Sequence, residues 1–337
     1  MELKMKFLDV LPTQPSWSVL DSSKLTTYMS CPRKYFFRYV LGWTSEYPNN
    51  HLVFGSAWHI ALEHLIKNGY AKDSYLQAVD LFMQYYRQHF PPDTDELFAP
   101  KTPDNFVRSL LLYWQTFRHD PDQYALLHTE TAGIVSISPT RTMTFKCDAI
   151  LHDEYGTIIG LDYKTSQRRF PDWIDHWSLS TQMLTYLHAI KCMYPMGQLH
   201  QMLIRTAFFY KQDRKGENKP TIFEEYAIEK SDAQMDSWLA RTNTWAIALE
   251  SDMGGLIHDD DTEDATLLAF PQNDTACFNY GRKCEYFDYC TAWSNPLTRC
   301  EEPPIGFNVT WWDPLAAPEI KERVNLITSY DSENNDE

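Results

Sequence analysis

Apolar and aromatic residues recur at helical spacing through the first third of the chain. They run over residues 22 to 42 behind Ser22 and Ser23, which can cap a helix, and the same spacing predicts helices over about 55 to 67, 73 to 90 and 104 to 118. The centre changes character. Residues 131 to 137, 142 to 151 and 157 to 163 are rich in Thr, Ile, Val and Phe, and the turn signal HDEYG separates the last two, so the three read as neighbouring antiparallel strands. A helix over 178 to 193, strands near 199 to 210 and 221 to 228, and a helix near 231 to 250 follow. The pattern predicts an α+β fold: a mixed central sheet flanked by helices, with a helical N-terminal part and a cysteine-bearing C-terminal segment.

With 337 residues, 43% of them hydrophobic, the chain can bury a large core as one big domain or one domain plus an appendage. The opening MELKMKFLDVLPTQPSW is broken by charges and prolines, and no later run approaches the roughly 18 apolar residues of a membrane span, so a soluble, cytoplasmic protein is expected. The formal charge of −16 argues against a nucleic-acid partner only at first sight. Acid is concentrated in HDDDTEDA near 258 to 265 and in the tail SYDSENNDE, while Arg33, Lys34 and Arg38 cluster, as do Lys164, Arg168 and Arg169, and Lys211, Arg214, Lys215 and Lys219. A basic groove on an acidic body is compatible with that distribution, and so is a set of solvated surface charges. No phosphate-binding loop of the Gly-x-x-x-x-Gly-Lys-[Ser/Thr] kind occurs, so any helicase partner is a separate polypeptide.

The segment FKCDAILHDEYGTIIGLDYKTSQ carries the densest chemistry. Alternate residues of a strand share a face, so Asp162 and Lys164 point together while Tyr163 points away and offers its backbone carbonyl. Asp148, on the preceding strand across the turn, converges on the same spot. Phosphodiester hydrolysis uses an oxygen-ligated divalent cation, for which carboxylates are natural hard ligands, and a lysine beside them can orient water and stabilise charge developing on phosphate. An Asp and a Lys two apart are common on any strand, where they form a surface ion pair, so the pair acquires meaning only from its company.

From about Ser22 to Cys290 the chain resembles the RecB-like branch of the PD-(D/E)XK nucleases. The resemblance rests on Asp148 followed by the signature LDYKT, on Gln182 and Tyr186 four apart in STQMLTYLHA, and on Gly55 and His59 in FGSAWHIALEHL. It implies catalytic roles for Asp148, Asp162, Lys164, Gln182 and Tyr186, and a Mg²⁺ or Mn²⁺ ion held by His59, Asp148, Asp162 and the Tyr163 carbonyl. Glu130, in HTE just before the first strand, matches an acidic position upstream. Gln182 and Tyr186 fall on one helical face, where they would touch the substrate backbone or hold the lysine.

Seven cysteines cannot all pair internally, and no two stand two to four apart as in zinc ribbons. Cys277, Cys284 and Cys290 lie within CFNYGRKCEYFDYC. A subset of RecB-like nucleases, including the CRISPR-associated adaptation nucleases, AddB and exonuclease V, takes a fourth ligand from far upstream. The matching context here is Cys31 in LTTYMSCPRKYFFRYV, so the resemblance implies a [4Fe-4S] cluster on Cys31, Cys277, Cys284 and Cys290, with Cys300 as a possible substitute. Cys147 and Cys192 read as core residues. The aromatic and basic residues of RKYFFRY suit stacking of unpaired bases and core packing equally.

The organisation that follows is an N-terminal extension over 1 to 20, one nuclease domain over 21 to 295, and a C-terminal extension with an acidic tail over 296 to 337. Within the nuclease domain, 21 to 120 form a helical part, 121 to 255 the catalytic sheet core and 270 to 295 the iron-sulfur segment. The function implied is a metal-dependent DNA exonuclease of repair or recombination that prefers single strands or ends, with a separate helicase or recombination protein as a possible partner. The alternative is a non-catalytic iron-sulfur DNA-binding or assembly module of the same fold.

Overall fold

The computed structural model describes residues 11, 13 to 196, 199 to 211, 219 to 258, 265 to 279, 282 to 316, 320 and 322 to 327. Arg214, Lys215, the acidic residues 259 to 264 and the acidic tail lie outside them. The predicted elements are present, several of them with different ends, and the first helix departs most. The helix expected over 22 to 42 is broken: α1 spans Ser22–Ser30, Cys31 is extended at φ −160° and ψ 109°, and Pro32 opens a new helical turn. A residue before proline is pushed out of the helical region, so the break follows from Cys31-Pro32. The cap is Asp21, not a serine, and its carboxylate accepts from the Lys24 backbone N–H at 2.7 Å.

Three further helices, α2 (Asn50–Lys67), α3 (Lys72–Arg87) and α4 (Pro103–Phe117), precede the sheet. The sheet strands are β1 (Tyr124–Ser138), β2 (Arg141–Asp153), β3 (Ile158–Ser166), β4 (His200–Phe208), β5 (Ile222–Ile228) and β6 (Glu322–Leu326), in the order β6-β1-β2-β3-β4-β5. β1, β2 and β3 are antiparallel neighbours, as the pattern predicts, whereas β3 and β4 are parallel because α5 (Thr181–Met193) crosses between them. The C-terminal segment supplies β6, parallel to β1 at the sheet edge, and residues 307 to 309, which pair with 43 to 45.

Each face of the sheet has its own core. Phe54, Trp58, Phe82, Tyr86, Phe106 and Tyr113 of α2 to α4 pack on Ala149, Leu151, Leu161 and Tyr163. Met183, Leu187 and Ile190 of α5, with Trp238 of α6 (Asp232–His258), pack on Cys147, Ile150, Ile158, Met202 and Ile204. A third cluster joins Tyr28, Tyr35, Phe36 and Phe37 to Leu249, Phe270, Tyr286 and Cys300, fastening the end of α1 to the cysteine segment. Tyr35, Phe36 and Phe37 are buried, so they serve core packing and are not available to stack on unpaired bases. Arg33 is likewise buried, donating through Nε to the Phe270 carbonyl and through Nη2 to that of Leu267, and so is not part of a basic groove.

Candidate active site

The site lies where β2 and β3 pass between α2 on one face and α5 on the other. Asp148 and Asp162 are 7% and 2% exposed, which makes their ionisation depend on their partners rather than on water. Asp148 Oδ1 lies 3.1 Å from His59 Nδ1 of α2, and its Oδ2 accepts from the Tyr163 backbone N–H at 2.8 Å. Burial alone would raise this carboxyl, but His59, the Tyr163 N–H and Lys164 together hold it below the usual range. Asp162 moves the other way, raised by burial and by the Asp148 charge against the pull of Lys164. Burial also opposes protonation of His59, and the Asp148 carboxylate outweighs it, so the imidazole is held above its ordinary value.

Lys164 Nζ stands 2.8 Å from Asp162 Oδ2 and donates to Gln182 Oε1 at 2.9 Å, while Gln182 Nε2 donates to the Tyr186 hydroxyl at 2.9 Å. The four-residue spacing on α5 therefore holds the lysine. Burial, and next the Asp162 charge, keep the Tyr186 phenol well above its usual value and hence protonated. As strand alternation predicts, Tyr163 points away, into the core under α2, where its ring meets Tyr113 and His59.

Glu130 departs from expectation. It lies inside β1 rather than before it, at φ +47°, in the left-handed region that residues with a side chain rarely adopt. It is 3% exposed, ion-paired with Lys146 at 2.8 Å, and raised by burial and the Asp148 charge. Around it Thr129 pairs with Ala149 and Thr131 with Cys147, yet Cys147 and Ala149 sit in opposite cores, so the strand turns over at Asp148. Composition gave no signal of that turn.

A pocket of about 420 Å³ is lined by His51, His59, Lys101, Glu130, Lys146, Tyr163, Lys164 and Thr165, and reaches the centre through His59 and Lys164 rather than through the buried Asp148 and Asp162 themselves. The donor chemistry fits a hard divalent cation: two buried carboxylates that sense each other, an imidazole and a main-chain carbonyl. Asp162 Oδ2 is buried, and Lys164 faces it outside hydrogen-bonding geometry. Among the described residues no three His, Cys, Asp or Glu side chains close around one point as a ready-made cage; His59 engages Asp148 and Lys164 engages Asp162.

Cys277 and Cys290 each feel the charge of their neighbouring cysteines, Cys31 among them, yet as placed the four form no set of three that could hold a metal ion among the described residues. The Cys290 thiol is pushed up to about 12 by burial first, with Arg33 opposing and Cys31, Cys284 and Cys277 adding to the rise. Cys277 is raised by burial and then by Cys284 and Cys31. The Cys284 N–H donates to the Cys277 carbonyl at 2.8 Å, and Asn273 Nδ2 donates to the Ser30 carbonyl at 2.7 Å, which seats Cys31 against the segment. Cys300 is buried in the third core cluster, against which Cys284 and Cys290 also pack, and its thiol donates to the Leu297 carbonyl. Cys147 is buried as expected. Cys192 is not: it sits exposed in the last turn of α5.

A family model described as the PD-(D/E)XK nuclease superfamily matches residues 19 to 291. Over 231 residues the chain is 25% identical to a component of the ATP-dependent helicase/deoxyribonuclease of Streptococcus uberis, covering 63% of this chain but only 20% of that protein. A solved structure from Eubacterium rectale, proposed to be an exonuclease, is 12% identical with a TM-score of 0.45, over 86% of this chain and all of the other. No helix among the described residues is long and apolar enough to cross a membrane. The family match runs over most of the chain and takes in Asp148, Asp162 and Lys164: the protein belongs to the PD-(D/E)XK nuclease superfamily.

Proposed function

We propose that the chain is a metal-dependent DNA nuclease, with Asp148, Asp162, His59 and the Tyr163 carbonyl holding Mg²⁺ or Mn²⁺. The observation that carries this reading is the arrangement of Asp148, Asp162, His59 and a tethered Lys164 about one buried centre. A divalent cation there supplies Lewis acidity toward a phosphoryl oxygen and makes water more acidic. The protein's own contribution is positional. Gln182 and Tyr186 fix the Lys164 ammonium, which donates to phosphate oxygens as negative charge develops on them. Burial of both carboxylates strengthens every charge interaction in the pocket.

A [4Fe-4S] cluster on Cys31, Cys277, Cys284 and Cys290 is part of the proposal, as a clamp between the end of α1 and the C-terminal segment. The rise of the Cys277 and Cys290 thiols, to which neighbouring cysteines including Cys31 contribute, supports it. The cluster segment belongs with one nuclease domain over 21 to 295. A preference for single strands or ends, cytoplasmic action in repair or recombination, and a separate helicase or recombination partner complete the reading. The Streptococcus uberis relative, named as part of a helicase/deoxyribonuclease, favours that partner. The test is incubation of anaerobically purified protein with end-labelled single- and double-stranded DNA plus Mg²⁺ or Mn²⁺. Cleavage by wild type and none by Asp162→Ala is expected, and binding without cleavage under every condition would favour the non-catalytic alternative.

A further inference from the structure

Three lysines line the pocket, and they are not equivalent. Lys164 faces Asp162 and Lys146 faces Glu130, whereas Lys101 pairs with no carboxylate among the described residues. Lys101 is 3% exposed, just ahead of α4, and its Nζ donates to Thr165 Oγ1 at 2.7 Å and to the Thr165 carbonyl at 3.3 Å. The aromatic ring of Phe54 lies 5.7 Å away. Burial lowers this ammonium to about 8, with no acid among the described residues to restore it. A charge withdrawn from water without a counter-ion is costly, and an ammonium has three donors, of which Thr165 takes two. His51, which also lines the pocket, is lowered by burial and then by the charges of Lys101 and Arg282.

We infer that Lys101 binds a second backbone phosphate of the nucleic-acid strand, beside the one that reacts. The inference rests on the nuclease reading and names what that pocket holds besides the scissile group. Its position explains the use of such a contact. Thr165 follows Lys164 directly on β3, so a phosphate held by Lys101 fixes the register of the strand against the reacting position. Phosphate contacts of this kind position a strand without reading its sequence.

The test uses the full chain and a fluorescent single-stranded oligonucleotide in chelator, titrated over a range of salt. Lys101→Met and Lys101→Gln, the second able to keep a hydrogen bond to Thr165, should each bind roughly three- to tenfold more weakly, with the slope of log K against log salt shallower by about 0.7. Oligonucleotides with one neutral methylphosphonate at successive positions should lose affinity for wild type at a position beside the scissile one, and lose nothing further there for either variant. Equal slopes and equal methylphosphonate profiles in wild type and variants would overturn the inference while cleavage by wild type left the nuclease reading intact. Failure of wild type either to bind or to cut would overturn both. Should neither variant fold, the methylphosphonate scan on wild type still decides, because sensitivity at the scissile position alone excludes a second phosphate contact.

Discussion

Gln182 Oε1 accepts a hydrogen bond from Lys164 Nζ at 2.9 Å, across the sheet-to-helix interface. The glutamine amide is in turn fixed by Tyr186, so removing either partner frees an ammonium that must point at one phosphate. Gln182→Leu should lower kcat by about 10- to 100-fold with KM little changed, the range found when partners that orient an active-site group are lost. Tyr186→Phe, which keeps the packing and removes one acceptor, should cost less. Steady-state kinetics on one oligonucleotide checks both. A rise in KM alone for Gln182→Leu would mean that Gln182 grips substrate rather than the lysine.

Asp162 and Lys164 touch, yet their proposed roles differ, and the difference is measurable. Asp162→Ala should abolish cleavage and weaken Mn²⁺ binding, because it deletes a ligand. Lys164→Ala should abolish cleavage with Mn²⁺ binding kept or strengthened, since it removes the cation that competes for the Asp162 carboxylate. Calorimetric titration of Mn²⁺ into both variants separates the two. Wild-type cleavage by either variant would remove it from the site.

Much of this is legible from periodicity. The strand alternation that pairs Asp162 with Lys164, the helical spacing that stacks Gln182 on Tyr186, and the order of strands around HDEYG need only local geometry. What stays hidden depends on tertiary context. Glu130 reads as lying outside the strand because nothing in HTE announces a left-handed residue within one; Cys192, read as core, is exposed, and Arg33 is buried because Phe270 and Leu267, far along the chain, fold over it. Lys101 gives no signal at all: a lysine in APKTP reads as a loop charge, and only the fold puts it against Thr165.

Gly133 of β1 pairs with Val324 of β6, and a Cβ built there would stand 2.2 Å from the Val324 carbonyl oxygen. Backbone cannot yield as a side-chain tip does. Gly133→Ala should therefore cost about 1 to 3 kcal/mol, with the damage concentrated at β6. The expected signs are a lower melting temperature and faster proteolysis near residue 322 than in wild type. An unchanged digest would show that β6 does not dock there in solution.

Lys24 is buried on α1, its Nζ donating to the carbonyls of Ser16 and Val19, and burial lowers it from 10.5 to about 8 against the attraction of Asp21. The unfolded chain keeps this proton up to about pH 10.5 whereas the folded chain releases it near 8. Stability contributed here is thus lowest below pH 8 and rises across that window, by roughly 3 kcal/mol in all. Lys24→Met lacks this rise. Urea denaturation of both proteins from pH 7.5 to 10 should show wild type gaining on the variant as pH increases, and a constant difference would refute the assignment.

Cys31→Ser should damage the fold more than Cys300→Ser, because the proposed ligand set joins Cys31 to Cys277, Cys284 and Cys290 while Cys300 is a core residue beside Leu297. The two segments joined are distant in sequence: Ser30 and Asn273, hydrogen-bonded neighbours of the cysteines, lie 243 positions apart. Closing a loop of that span with a cross-link is worth about 5 kcal/mol on the chain-entropy formula, an upper bound because it was framed for disulfides. Stabilities of whole domains are commonly about 5 to 15 kcal/mol, so the loss would be visible in any melt. Asn273 and Arg33 still bridge the segments by hydrogen bonds, so Cys31→Ser should retain a folded sheet core while its melting temperature and iron content fall together. Anaerobic protein should absorb broadly near 400 nm with roughly four irons per chain. Wild-type iron and melting in Cys31→Ser would take Cys31 out of the ligand set, and a joint loss in Cys300→Ser would put Cys300 in its place.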